Sequence, residues 1–376
     1  MFLWREFSLL HVLIFISFMV SGLVINLIQL VLYLLLVKLL DNQRLFRSIN
    51  YYLIYSIYGQ LLFLADWWSS STVTFYCHEE VLEDVGKEHA VILMNHHYEL
   101  DWLFGWMVAD RQGILGNCRV YVKKVIKYVP VIGWAWCFSD TLFLARDWAK
   151  DQAVLDERLG ALLDYPDPVW ILLFPEGTRF TKDKYLASKK FAESRNLPVL
   201  KHHLVPRTKG FSYTISHLDP AKITWVYDVT LGCDTATPPT LTNVLMGRST
   251  SAHMYIRRFK LADIPKDDEG SSQWLSNLYE EKDQLLDSFH TTGKFEHPTL
   301  TTHPGVSQPP RPYSLVLSLA VNSCVVLPLA WTVLSGGWGT LLTAAVVVGL
   351  AMAGIKYFIG ITQISNSSAY GDKKKE

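Results

Sequence analysis

A histidine and an aspartate five positions apart end the apolar run VILMNHHYELDW, residues 91–102. A carboxylate that hydrogen-bonds an imidazole fixes its tautomer and stabilises the imidazolium, so His96 and Asp101 are suited to take a proton from a hydroxyl group. Residues five apart in a helix lie about 140° apart around its axis and do not share a face. We therefore expect His96 in the turn after a strand over Ala90–Met94, with Asp101 early in the next helix.

Two other interpretations of this stretch stay open on the residues alone. In the simpler of the two, His96 is a buried histidine with a structural hydrogen bond. If His96 is instead a base, the hydroxyl would have to belong to a substrate, because no serine or cysteine stands beside the pair as a nucleophile. His96, His97 and Glu99 are also conceivable zinc ligands, but a structural zinc site needs a fourth, distant ligand and none is indicated. We expect no metal.

A second polar group follows the apolar run in VWILLFPEGTRF, residues 169–180. The run breaks at Pro175 and continues with Glu176, Gly177, Thr178 and Arg179. Glycine permits a positive φ or a close backbone approach, and arginine offers a fork of donors to a phosphate or carboxylate. A surface turn with solvated charges is the alternative. It is less attractive because ligands of open α/β sheets usually bind where strands end.

The elements that must position these residues lie between about Thr72 and Phe289. Apolar runs predict strands at Ala90–Met94, Arg119–Lys123, Thr141–Ala145, Val169–Phe174, Val199–Leu204, Ile223–Leu231 and Met254–Phe259. Stretches with apolar residues at helical spacing, such as DQAVLDERLGALLDY and Gln273–Phe289, accompany them. Apolar strands that alternate with helices predict an α/β fold with a mostly parallel sheet flanked by helices.

Long apolar stretches at both ends predict membrane anchoring. Phe7–Val37 is longer than the ~20 residues that cross a bilayer, and we interpret it as one tilted helix or as a hairpin broken near Ser21-Gly22. Tyr313–Leu334 and Thr340–Ile361 predict two further spans joined by a short uncharged turn. Tyr51–Trp68 is predicted as an interfacial helix, with a helix of the protein core as the alternative.

These features divide the chain into five parts. We predict an N-terminal anchor and interfacial helix in 1–70, a soluble domain in 71–290, a linker in 291–312, a C-terminal transmembrane hairpin in 313–362 and a tail in 363–376. Lys38, Arg44 and Arg47 follow the first span, which predicts a cytosolic domain. Lys373 and Lys374 are similar to a di-lysine retrieval signal of endoplasmic-reticulum proteins, with a generic solvated tail as the alternative.

Charge and cysteine content argue against other classes of protein. The 35 lysines and arginines balance 35 aspartates and glutamates, whereas nucleic-acid-binding proteins usually carry a basic excess, so we expect no nucleic-acid partner. The five cysteines include no C-x-x-C pair and suit neither zinc nor a disulfide framework. Free thiols facing a reducing cytosol are expected.

The order and separation of His96-x4-Asp101 and Glu176-Gly177-Thr178-Arg179 resemble the glycerolipid acyltransferase family. The similarity extends to Phe143 with Arg146 in TLFLAR, to Lys124 before Pro130 in KVIKYVPVIGW, and to Val205-Pro206. The segments GKEHAVILMNH, PVLKHHLVPRTKGF and VYDVTL, with the three-span layout, are similar to the gamma and delta branch of 1-acylglycerol-3-phosphate acyltransferases. Ala145 departs from the pattern, because many relatives carry an aspartate there.

The resemblance implies that residues 71–290 form an acyltransferase domain. Its reaction would move a fatty acyl group from acyl-CoA to the sn-2 hydroxyl of lysophosphatidic acid at the endoplasmic-reticulum membrane. Acyl-CoA would be a co-substrate, and no cofactor is expected. Acylation of another lysophospholipid, such as lysophosphatidylinositol, and a catalytically silent membrane scaffold are the alternative functions.

The resemblance also implies roles for single residues. His96 would be the catalytic base and Asp101 would orient it. The implied substrate-binding residues are Lys124, Arg146, Glu176, Gly177, Thr178, Arg179 and Pro206. Lys124, Arg146 and Arg179 would cradle the acceptor phosphate. Glu176 would bind polar groups of the glycerol or order Arg179, and a backbone amide near Gly177 would be placed to stabilise the thioester oxyanion.

Overall fold

The computed structural model describes residues 8–145, 147–234 and 236–363. Within these ranges the strands are β1 (Thr72–Tyr76), β2 (Ala90–Met94), β3 (Cys118–Lys123), β4 (Leu142–Leu144), β5 (Trp170–Leu173), β6 (Trp225–Cys233), β7 (Ser251–Lys260) and β8 (Val306–Ser307). The helices are α1 (Leu9–Leu32), α2 (Gln43–Phe63), α3 (Glu79–Asp84), α4 (Asp101–Arg111), α5 (Ile132–Cys137), α6 (Trp148–Leu162), α7 (Lys182–Ser194), α8 (Thr208–His217), α9 (Leu241–Leu245), α10 (Asp268–Thr292), α11 (Tyr313–Ser335) and α12 (Trp338–Thr362). π-Helical turns extend α1 to Leu39 and α2 to Trp68.

The strands form one sheet in the order β4-β3-β5-β2-β6-β7-β1-β8. Only β6–β7 and β1–β8 pair antiparallel among the described strands, and the other neighbours are parallel. The prediction of an α/β fold with a mostly parallel sheet flanked by helices is therefore confirmed. Strand β2 lies between β5 and β6, which explains why all its residues are buried. Its carboxyl end brings His96 to the sheet edge where β3, β4 and β5 also end.

Apolar layers cover both faces of the sheet. Alternate residues of β2 face opposite sides, so Ile92 and Met94 pack with α2 and α4, whereas Val91 and Leu93 pack with α6, α8 and α10. In α2, Ile54, Ile57 and Leu62 are fully buried in the first of these layers. Of the two interpretations of Tyr51–Trp68, the structure therefore favours a helix of the core.

The predicted strand at Val199–Leu204 is wrong, because this segment is irregular. The amides of Lys201 and His202 each donate to the carboxylate of Asp283 on α10, at 2.7 Å. The amide of Leu204 donates to Glu176 at 3.1 Å. Side chains thus take the donors that a sheet ladder would have used.

Residues 291–312, predicted as a linker, are held against the domain. Strand β8 pairs with β1, and Phe295 is 2% exposed in a cluster with Phe289 and Tyr255. The sequence predicted neither β1 nor β8. Both lie at the far edge of the sheet from β4.

Three helices are long and apolar enough to cross a membrane: α1 with its extension, α11 and α12. Helix α1 continues through Ser21-Gly22, so it is one helix and not a hairpin. A side chain at Gly22 would collide with Val131 of the domain, because its Cβ would lie 2.3 Å from Val131 Cγ1. The buried residues of α11 and α12 lie in their domain-proximal halves, and the turn between the two helices is exposed, with Trp338 84% accessible.

Candidate active site

The loop after β2 places His96 directly against Asp101. Asn95 is buried and bonds the backbone of Leu231 on β6 in both directions, at 2.7 and 3.0 Å, which fixes where β2 ends. His96 follows in the turn, and Asp101 is the first residue of α4. The imidazole Nδ1 lies 2.6 Å from Asp101 Oδ2. The structure thus brings together the two residues that the sequence singled out as a base and its orienting acid.

The surroundings hold the ring in one orientation. The Asp101 side chain is fully buried, and its second oxygen accepts the Trp102 amide at 2.8 Å. The His96 ring stacks on Phe174, with centroids 4.2 Å apart, and its side chain stays 18% exposed. When Nδ1 carries the proton shared with the carboxylate, the neutral ring presents its lone pair at Nε2. The pair has the arrangement of a general base with an orienting acid.

Glu176 joins the two sequence motifs from inside the protein. One carboxylate oxygen accepts the His96 amide at 2.9 Å, and the other accepts the Leu204 amide at 3.1 Å. The residue is only 1% exposed, and burial raises the pKa of its carboxyl. Both oxygens are engaged by backbone, so this geometry favours a role in positioning His96 over either of the roles implied by the resemblance.

Gly177 lets the loop turn sharply at the end of β5. Its φ is +67°, and its amide donates to the Phe174 carbonyl at 2.8 Å. That amide is therefore engaged within the turn, and an oxyanion donor near Gly177 stays a prediction for another amide of the loop. An added Cβ would lie 3.0 Å from Arg207 Cδ, so glycine also allows Arg207 to pack over the loop.

Thr178 and Arg179 are held by a buried lysine. Lys184 of α7 is 7% exposed, and its ammonium donates to Thr178 Oγ1 at 2.9 Å and to the Arg179 carbonyl at 3.0 Å. The next amide, that of Phe180, donates to the His96 carbonyl at 2.8 Å. The backbone of His96 is thus bonded on both sides to residues 176–180, and the Arg179 side chain in this segment is half-buried.

Pro206 is buried, and Arg207 follows it at the rim of the same loop. The Arg207 amide donates to the Pro175 carbonyl at 2.7 Å. The sequence motifs did not single out Arg207. Its position directly after Pro206 is the signal that could have placed it beside Gly177.

Lys124 lies farther from His96 than these residues do. It follows β3, which is separated from β2 by β5, a distance of two strand spacings or about 10 Å. Its side chain is exposed and lines a cleft next to β4. Ala145 follows β4 directly at the same end of the sheet, and Arg146 lies outside the described residues.

His97 has a structural environment unlike that of His96. Its ring stacks on Phe180, with centroids 4.6 Å apart. Burial, assisted by His203 and His290, lowers its pKa to about 4, so the ring is neutral near pH 7. Among the described residues no group of three or more His, Cys, Asp or Glu side chains has an arrangement that suits a metal ion.

Comparison with known proteins agrees with this geometry. Residues 73–227 match the family model described as Acyltransferase, and residues 243–321 match the one described as Acyltransferase C-terminus. The chain is 41% identical to 1-acyl-sn-glycerol-3-phosphate acyltransferase gamma of Homo sapiens, over 100% of this chain and 99% of the relative. It is 40% identical to 1-acyl-sn-glycerol-3-phosphate acyltransferase delta of Mus musculus, over 97% and 95%.

A solved structure is also similar in part. The crystal structure of the 1-acyl-sn-glycerophosphate acyltransferase PlsC from Thermotoga maritima aligns with a TM-score of 0.42 and 14% identity, covering 72% of this chain and 97% of that one. The family assignment rests on the full-length relatives and on the two family models. The chain belongs to the glycerolipid acyltransferase family, in the branch of the gamma and delta 1-acyl-sn-glycerol-3-phosphate acyltransferases.

Proposed function

We propose that this protein transfers a fatty acyl group from acyl-CoA to the sn-2 hydroxyl of lysophosphatidic acid, which gives phosphatidic acid and free CoA. The observation that carries the proposal is the 2.6 Å contact between His96 and Asp101 at the carboxyl edge of the sheet. A base in this position needs a substrate hydroxyl, because no serine or cysteine stands beside it in the sequence.

In the proposed reaction, His96 Nε2 accepts the proton of the acceptor hydroxyl while its oxygen attacks the thioester carbonyl carbon. The C–O bond forms, a tetrahedral oxyanion develops and collapses, and the C–S bond breaks. The imidazolium then returns its proton to the leaving CoA sulfur. Asp101 stabilises the imidazolium during these steps. All atoms and charges balance without a metal or a prosthetic group.

Cationic side chains account for recognition of the acceptor phosphate. Arg179 belongs to the loop that is hydrogen-bonded to His96, and Arg207 packs on that loop beside Gly177. Lys124 completes the proposed cradle from the end of β3, and Arg146 remains a sequence-based expectation. Guanidinium groups favour phosphate because their donors form a planar fork. Positioning of this kind contributes much of the rate enhancement in two-substrate reactions.

The three apolar helices fit a membrane protein, as the lipid substrate requires. We place the domain and the C-terminus on the cytosolic face of the endoplasmic reticulum. The di-lysine sequence that motivates this location lies outside the described residues. Arg47, counted as a flanking charge, is instead buried and pairs with Asp140 at 3.1 Å.

Helix α1 has contacts that disfavour a simple span. Near its start His11 Nε2 lies 2.7 Å from the Leu245 carbonyl, and farther along Asn26 donates to the Val131 carbonyl at 3.2 Å. These contacts are fifteen residues apart, about 22 Å along the helix. A helix that crossed the bilayer would draw one of them into hydrocarbon. We therefore propose that α1 lies in one leaflet and that only α11 and α12 cross.

Glycosylation mapping tests this topology. An acceptor site inserted in the α11–α12 turn, at Gly336-Gly337, is expected to be glycosylated in microsomes, whereas acceptor sites fused to either terminus are not. Glycosylation of the N-terminal fusion would show instead that α1 crosses the membrane.

An acceptor panel tests the proposed function. Microsomes that contain the protein, or control microsomes, are given one labelled acyl-CoA with lysophosphatidic acid, lysophosphatidylinositol or lysophosphatidylcholine. The proposal expects protein-dependent transfer to be fastest with lysophosphatidic acid. Faster transfer to lysophosphatidylinositol would change the acceptor and leave the chemistry in place. No transfer to any acceptor would favour the silent scaffold.

A further inference from the structure

A cleft of about 460 Å³ lies beside the candidate active site, next to β4 and α6. Its described lining residues come from the Lys124–Tyr128 turn, from α5, from β4 and from α6, and they do not include His96 or Asp101. The function proposed above gives acceptor-phosphate contacts to the loop around Arg179 and, within this cleft, to Lys124 alone. It leaves most of this cleft without a ligand.

The cleft has a cationic lining. Four of its side chains are Lys124, Lys127, Lys150 and Arg158, against Asp151 and Glu157. The Asp151 carboxylate is buried and accepts the Ala145 amide at 2.6 Å, so backbone already engages it.

The remaining charge pairs are weak or partial. Glu157 lies 3.6 Å from Arg158, and Lys150 lies 3.7 Å from Asp147 while its side chain is 74% exposed. Exposed pairs of this kind add little stability and yield to a stronger anion. Arg158 is held more firmly, by Asp140 at 2.9 Å, which orients its guanidinium. The excess of positive charge in a recess favours a ligand with several phosphate charges.

The position of the cleft distinguishes the two substrates by length. Strand β4 is three strand spacings from β2, about 14 Å, and Lys150 and Arg158 belong to the helix that follows it. In lysophosphatidic acid four bonds separate the sn-2 oxygen from phosphorus, about 5 Å when extended. In acyl-CoA thirteen bonds separate the thioester sulfur from the nearest phosphorus, about 16 Å when extended. Only the acyl-CoA molecule is therefore long enough to place its thioester at His96 and its phosphates in the outer part of the cleft.

We infer that this cleft binds the phosphate-bearing adenosine end of the acyl-CoA donor, with Lys127, Lys150 and Arg158 contacting its phosphates. The inference rests on the proposed function, in which acyl-CoA is the donor. Trp136 and Phe143 add aromatic surface to the lining, of the kind on which an adenine ring stacks. The pantetheine arm then runs along the sheet edge, past the ends of β3 and β5, and delivers the thioester to His96.

The test compares two acyl donors in a charge-removal variant. The variant is Lys127→Gln with Lys150→Gln, which leaves Lys124 and the Arg179 loop intact. Its matched control is Lys260→Gln with Lys266→Gln. These two exposed lysines lie at or just beyond the carboxyl end of β7, which runs antiparallel to β6 and so ends on the side of the sheet away from His96. Each protein is assayed in microsomes with acyl-CoA and with acyl-pantetheine, which carries the same thioester and no nucleotide.

We expect the KM for acyl-CoA to rise about tenfold in the cleft variant, because two charge-assisted contacts are lost. The KM for lysophosphatidic acid stays within about twofold of the wild-type value, and with acyl-pantetheine the cleft variant and the wild type have the same rate. The control variant behaves as wild type with both donors.

Three results would overturn the inference while the proposed function stands. These are an unchanged KM for acyl-CoA in an active cleft variant, a rise confined to the KM for lysophosphatidic acid, or an equal loss with both donors. Absence of transfer from acyl-CoA by the wild type would instead contradict the proposed function itself. The outcomes of the two proposals are therefore distinguishable in one experiment.

Discussion

The backbone amide of His96 donates to the carboxylate of Glu176 at 2.9 Å, across 80 residues of sequence. This bond joins the loop after β2 to the loop after β5, and the Phe180 amide closes the connection by donating to the His96 carbonyl at 2.8 Å. The position of the His96 loop therefore depends on a buried acid, Glu176, whose two carboxylate oxygens both accept backbone amides.

Replacement of Glu176 by glutamine should slow catalysis without weakening substrate binding. A glutamine amide would present a donor to one of the two backbone N–H groups, which leaves a buried donor unsatisfied. We expect kcat to fall about 10- to 100-fold, with the KM values for both substrates within about twofold of wild type. Steady-state kinetics measure this split. A raised KM for lysophosphatidic acid with normal kcat would indicate direct contact between Glu176 and the acceptor.

Asp101→Asn should leave the fold intact and remove most of the activity. The asparagine can hold the ring but cannot stabilise the imidazolium, and its amide favours the wrong tautomer. In a serine protease the equivalent change costs about 10⁴-fold in kcat, and we expect about 10³- to 10⁴-fold here. The matched control is Asp263→Asn. Asp263 is an exposed aspartate just after the carboxyl end of β7, on the side of the sheet away from His96. Activity within about threefold of the control would exclude a role for the Asp101 charge.

His97 should make stability depend on pH. Burial lowers its pKa to about 4 in the folded protein, whereas the unfolded value is 6.5. Between these values the unfolded chain binds more protons, so the stabilisation is complete above pH 6.5 and is lost as pH falls toward 4. The full difference amounts to about 3 kcal/mol.

Thermal unfolding in detergent, measured from pH 7 to pH 4, checks the His97 prediction. The Tm of the wild type should fall over this window, and the Tm of His97→Leu should fall less. Parallel curves for the two proteins would mean that His97 does not remain neutral in the folded state.

A buried ion network fixes α10 to the sheet. Lys282 and Asp228 are fully buried and lie 2.5 Å apart, and Arg257 donates to the second oxygen of Asp228 at 2.8 Å. Asp228→Leu would leave the Lys282 ammonium buried without its anion, at a cost of about 3–5 kcal/mol. The double variant Asp228→Leu with Lys282→Met should recover part of that loss. Denaturation midpoints measure both, and a double variant less stable than Asp228→Leu alone would contradict the account.

Contacts between residues close together in the sequence could be predicted, whereas contacts between residues far apart in the sequence could not. The turn that joins His96 to Asp101 depends on neighbouring residues, and the apolar run of β2 indicated where it begins. The partner of Glu176 could not be predicted in this way, because the bond exists only when β2 and β5 lie side by side. The same reason applies to Val199–Leu204, which is apolar enough for a strand but gives its amides to Asp283 and Glu176.

Strand order limited the prediction of the substrate contacts. The family resemblance implied that Lys124 and Arg179 bind the acceptor phosphate together. The strand order could not be predicted, and it places Lys124 at the end of β3 beside β4, where its side chain lines the neighbouring cleft. Arg207 was not singled out, because its contact with Gly177 depends on the +67° φ of the glycine and on the path of the irregular segment before α8.

The central claim is that His96 is the base that deprotonates the lipid hydroxyl. The most direct measurement is the rate of acyl transfer from labelled acyl-CoA to lysophosphatidic acid by wild type and by His96→Ala, at equal amounts of protein and with Tm values that show both are folded. We predict a loss of about 10²- to 10⁴-fold in the variant. Equal rates for the two proteins would contradict the mechanism.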